Sequence, residues 1–160
     1  MSLSRKIVAA LDSRPDSGAI SCALTAEDGP HRLTLHLTAS GPVGLAFDAL
    51  EFATTARPEW SSEALLAWGE ALARRVSYLM EPLVVLENDT LGGTVELRSH
   101  APTARADRRS YYEVRLGRQG TLRLARVGFD EVTRRRSPAS CQMTREVLER
   151  LIDDIIASIG

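Results

Sequence analysis

The chain has 160 residues, 44% hydrophobic, 26% charged and 5% aromatic, with a formal net charge of -1. That length describes one domain able to bury about 70% of its unfolded surface, with a core drawn mainly from Leu, Val, Ile and Ala. No window approaches the roughly 20 apolar residues of a membrane span, and the near-neutral charge by itself implies no polyanionic partner.

The opening Met1-Ser2-Leu3-Ser4-Arg5-Lys6 lacks the apolar stretch and cleavage site of an export signal, so a cytoplasmic protein without membrane association is expected. Leu3, Ile7 and Leu11 recur at helical spacing behind Ser2, and Pro15 blocks continuation, which predicts a short first helix. Ile20, Cys22 and Leu24 alternate toward the turn Glu27-Asp28-Gly29-Pro30. Leu33, Leu35 and Leu37 then alternate with Thr34, His36 and Thr38, as in a strand with one polar face. Ser40-Gly41-Pro42 turns the chain into Val43, Leu45 and Phe47.

Over 61–80 the pattern predicts a central helix. Leu65, Trp68, Leu72, Val76 and Leu79 form its apolar stripe, Glu63, Glu70 and Arg74 lie off it, and Pro82 ends it. Leu83-Val84-Val85-Leu86 is a continuous apolar run, expected of a strand covered on both faces or lying at a subunit contact. Asn88 to Gly93 reads as a turn, Thr94 to Arg98 as the return strand, 100–109 as a loop, and 110–116 and 121–129 as two further strands. A last helix over 145–158 carries Leu148, Leu151, Ile152, Ile155, Ile156 and Ile159 on one face. The order α-βββ-α-ββββ-α predicts a two-layer α+β domain spanning 1–160, with a mostly antiparallel sheet of six to seven strands and helices on one side.

Two segments share a pattern. Leu45, Phe47, Leu50 and Phe52 are spaced two, three, two, and Leu122, Leu124, Val127 and Phe129 repeat that spacing; a step of three implies a bulge in each strand. Each segment leads to a similar helix start, Trp60-Ser61-Ser62-Glu63 and Met143-Thr144-Arg145-Glu146, with a capping hydroxyl, an acid at the positive end of the dipole and a staple residue in front. An internal ββα duplication and a coincidence of common devices are both open readings.

Chemistry is sparse. His31, His36 and His100 are not at ligand spacing, and Cys22 and Cys141 form no metal or redox pair, so reduced thiols and no cofactor or metal are expected. Gly92-Gly93 precedes a strand, which excludes a phosphate-cradling loop, and Glu87-Asn88-Asp89 does not make a calcium loop. Cys141 stands before a helix start and after Arg134-Arg135-Arg136, surroundings that would favour thiolate, but no base accompanies it.

Basic residues number nineteen arginines and one lysine, a bias that a GC-rich bacterial genome would produce. Arg98 to Arg136 nonetheless holds eleven arginines against Asp107, Glu113, Asp130 and Glu131. Within it, Arg118-Gln119-Gly120 suits a three-residue hairpin loop. That register sets Leu116 opposite Leu122 on the core face and Arg115 opposite Arg123 outside, with Tyr111 and Glu113 in the same row. Opposed like charges call for Glu113 or an external anion as compensation. Arg115, Arg123, Tyr111 and Arg118 are therefore the candidate binding residues.

The element order resembles that of bacterial type III secretion chaperones and related small α+β folds across most of the chain. The expected function is a non-enzymatic protein-interaction module that forms a homodimer or binds another protein. The alternatives are nucleic-acid or anion binding through the arginine hairpin, with nucleic acid the less favoured partner, and an enzyme whose site is assembled from scattered residues.

Overall fold

A computed structural model of the chain describes residues 1–14, 18–79, 81–99, 103–105 and 108–160, so Pro15 and His100 lie outside it. Among the described residues, three helices and ten strands form a two-layer α+β fold. The helices are α1 (Leu3–Asp12), α2 (Ser62–Arg75) and α3 (Arg145–Ser158). The strands are β1 (Gly18–Asp28), β2 (His31–Ser40), β3 (Gly44–Thr54), β4 (Leu83–Asp89), β5 (Thr94–Ser99), β6 (Thr103–Arg105), β7 (Arg108–Gly117), β8 (Thr121–Asp130), β9 (Arg135–Ala139) and β10 (Cys141–Thr144). The main path through the sheet is β1-β2-β3-β8-β7-β5-β4, and every neighbouring pair is antiparallel.

Side-chain alternation puts Leu33, Leu35, Leu37, Val95, Leu97, Val114, Leu116, Leu122 and Leu124 on one face, and all are buried with the helix stripes in a single core. Complete burial of such a side chain stabilises by about 1.5–3 kcal/mol. Each helix begins where its sequence provides a cap: Ser2, Ser61 and Thr144 accept bonds from Arg5, Ala64 and Val147 N–H. Trp68 of α2 stacks on Trp60, 4.7 Å between centroids, and its indole N–H donates to Ser158 at the end of α3 (3.0 Å).

Several expectations change. α2 ends at Arg75, not near 80; Val76 leaves helical geometry, and the extended path beyond it still buries Val76 and Leu79 while carrying the Tyr78 hydroxyl to Asp154 (2.6 Å). The loop expected over 100–109 contains β6 and the start of β7. β9 and β10, absent from the expected order, occupy a fork in the sheet. In β3 the bulge is present: from Leu35–Leu50 to Leu37–Phe47 it uses one residue more than β2, and consecutive Ala49 and Leu50 are both buried. β3 thereby leaves β8 after Ala49–Ala125, and β10 pairs with the freed half of β3 while β9 pairs with the freed half of β8.

The matching bulge expected in β8 does not exist. β8 keeps unbroken register with β7 from Arg108–Asp130 to Gly117–Thr121, so Val127 and Phe129 change face relative to Leu122 and Leu124. The two halves still meet at the centre, because β3 and β8 are neighbours and each precedes a helix.

Candidate functional site

The helices cover one face of the sheet and leave the other open, and the β7–β8 hairpin lies at its middle. Its turn is Arg118-Gln119-Gly120, with Gly120 at φ +77° and its N–H bonded to Gly117 O (3.0 Å). The resulting register sets Leu116 opposite Leu122, Val114 opposite Leu124 and Arg115 opposite Arg123, as expected from the turn. Neighbouring strands extend the arginine pair into a row that crosses the sheet: Thr34, Glu51, Arg123, Arg115 and Glu96.

The two guanidiniums have unequal surroundings. Arg115 is 62% exposed and its Nη2 stands 3.9 Å from Glu96 Oε2, the outer limit of an ion pair. Arg123 is exposed and makes no hydrogen bond or ion pair with another described residue. Glu51 is its cross-strand neighbour, but the Glu51 carboxylate engages His36 Nε2 at 2.7 Å. Glu113, the expected compensator, instead accepts from Arg136 Nη2 at 2.6 Å. Burial, reinforced by the hydrogen bond and charge of Glu96, holds the Glu113 carboxyl above its ordinary range.

Tyr111 and Arg118 do not join this pair in the way the sequence implied. Tyr111 lies on the same face but is buried, with the guanidiniums of Arg98 and Arg136 at 4.9 and 6.0 Å from its ring centroid. Arg118 reaches over the turn and donates to Ser62 Oγ (2.8 Å) and Thr90 O (2.7 Å), tying the hairpin to the start of α2 and the β4–β5 turn.

Beside the arginine row runs a second one, made of Arg32, Ala53, Thr121, Gly117 and Thr94 on successive strands. Ala53 and Gly117 are small, so this row lies low and forms the floor of a groove of about 550 Å³ walled by Glu51, Arg123 and Arg115. A Cβ on Gly117 would meet Thr121 Oγ1 at 2.6 Å. Arg32 is tied loosely to Glu27, at 3.7 Å.

The other candidates are structural. Cys141 is fully buried, and desolvation pushes its thiol up to about 12, the reverse of the thiolate-favouring site its sequence neighbours implied. The Arg134-Arg135-Arg136 run is exposed. His31 bonds to Thr54 Oγ1 (2.9 Å) and packs on Phe52. Asp89 Oδ1 accepts from Gly92 N–H (2.8 Å), closing the β4–β5 turn. Among the described residues no group of three or more His, Cys, Asp or Glu side chains could hold a metal, and no helix is long and apolar enough to cross a membrane.

Arg32, Glu51 and Glu96 belong to the site but escape a sequence reading, because they arrive from strands whose pairing is long-range. The strand alternation that puts each on the polar face was the available signal. Comparison of the chain with protein-family models, curated proteins and solved structures returns no match.

Proposed function

We propose that the chain is a non-enzymatic protein-interaction module that associates with a second copy of itself along β4. The observation that carries this is the character of that strand. β4 ends the main path through the sheet, so one side of it presents backbone N–H and C=O groups without a strand partner among the described residues. The apolar run Leu83–Leu86 is expected to be covered on both faces or to lie at a subunit contact, and within this chain Leu83 is buried while Val84 and Leu86 are 39% and 53% exposed.

An antiparallel β4–β4 contact about a twofold axis at Val85 brings Val84 of one copy beside Leu86 of the other and adds main-chain bonds between them. Pro82, Glu87 and Asp89 flank the run and confine such pairing to a short segment with one register.

Sedimentation velocity over a concentration series tests the proposal. The expected result is a dimer that dissociates on dilution and is lost in a Val84→Lys/Leu86→Lys variant with an unchanged circular dichroism spectrum. A wild-type chain that stays monomeric at the highest concentration refutes self-association.

A further inference from the structure

We infer that the cross-strand groove beside Arg115 and Arg123 binds an acidic, extended segment of a partner protein. This site lies on the sheet face rather than at its edge, and it does not rest on self-association through β4.

Charge is the first argument. Arg115 and Arg123 stand directly opposite each other, an arrangement that is unfavourable unless an anion lies between them. The protein supplies little: one Glu96 oxygen at 3.9 Å from Arg115, and a Glu51 carboxylate engaged by His36. A carboxylate placed over the pair accepts charge-assisted hydrogen bonds from both guanidiniums, each stronger than a bond between neutral groups.

Shape is the second. From Arg32 on β2 to Thr94 on β5 the floor crosses four strand spacings, about 19 Å, which matches about six residues of extended chain. Small residues at Ala53 and Gly117 keep that floor low, while Arg32 at one end offers a third cation. In an extended segment alternate side chains face the same way, so acids at every second position point toward the arginine wall.

The neighbours select a peptide over nucleic acid. Glu51 and Glu96 flank the arginine pair and Glu113 precedes Arg115 by two residues on β7, and a uniformly charged phosphate chain would meet them as well as the cations. Tyr111 is covered by Arg98 and Arg136 and gives no platform for a base.

The test is fluorescence anisotropy with a labelled six-residue peptide of alternating Thr and Glu, beside an alternating Thr and Lys peptide and a single-stranded hexathymidylate. All titrations are repeated in a Val84→Lys/Leu86→Lys background, so that loss of self-association and loss of peptide binding are read separately. The Thr–Glu peptide should bind at low salt, weaken as salt rises, and bind about tenfold more weakly to Arg115→Ala/Arg123→Ala. Arg134→Ala/Arg135→Ala removes the same charge away from the groove and should leave binding unchanged. Equal weakening by both double variants, no binding at low salt, or tighter binding of hexathymidylate than of the acidic peptide would each overturn the inference.

Discussion

Gly120 couples the candidate site to the core, and replacing it with alanine measures that coupling. Its φ of +77° is a conformation in which an L-residue costs about 1–2 kcal/mol. Position matters as much as conformation. A Cβ on Gly120 would press into the backbone oxygen of Thr54 and lie 3.0 Å from Trp60 Nε1. The Thr54 oxygen cannot swing aside like a side chain, because Thr54 N–H is bonded to Gly120 O at 2.9 Å. Relieving the clash therefore disturbs that bond, about 1 kcal/mol, and adds about 1–3 kcal/mol of overpacking beneath the Trp60–Trp68 stack.

Gly29 provides the control, since its φ is +57° and nothing lies within 4 Å of its added Cβ. Gly29→Ala should carry the conformational cost alone, and Gly120→Ala should cost about 2–4 kcal/mol more. At about 2–4 °C per kcal/mol for a chain of this size, the second variant should melt roughly 10 °C below the first. Urea unfolding with an unchanged slope, monitored by Trp fluorescence, reads the difference directly. A gap below about 1 kcal/mol would refute the claim that close approach to Thr54, rather than backbone sign, demands this glycine.

Two other perturbations follow from buried polar groups. Tyr78→Phe removes the bond donated to Asp154 Oδ2 at 2.6 Å and should cost about 1–2 kcal/mol in urea unfolding, moderated because Arg75 and Arg150 remain 3.8 and 3.9 Å from that carboxylate. Cys141 should resist alkylation in the folded chain at alkaline pH while half-buried Cys22 reacts first, as peptide mass mapping would show. In the unfolded chain the Cys141 thiol loses its proton near its ordinary 9.0, whereas the folded chain keeps it until about 12. Stability should fall as pH rises through that window, at up to about 1.4 kcal/mol per pH unit, and less steeply in Cys141→Ala.

Local chemistry was legible, and long-range pairing was not. The stripe Leu148, Leu151, Ile152, Ile155 marks α3 because helical spacing and a Thr144 cap need no distant partner. Arg115 faces Arg123 because one three-residue turn sets the whole β7–β8 register. The same alternation misled at Val127 and Phe129, where a two-three-two spacing repeats without a bulge and the side chains simply change face. β9 had no apolar alternation to reveal it: Arg135-Arg136-Ser137-Pro138-Ala139 is a strand because the β3 bulge opens a fork whose free backbone groups it satisfies. The groove has the same origin. Its arginine wall is local to one hairpin, but its floor and its acidic neighbours come together only when β3 meets β8 and β5 meets β7. Its distinguishing feature is an arginine pair whose nearest carboxylates are committed to other partners or stand at the limit of contact, and that feature arises only from the assembled sheet.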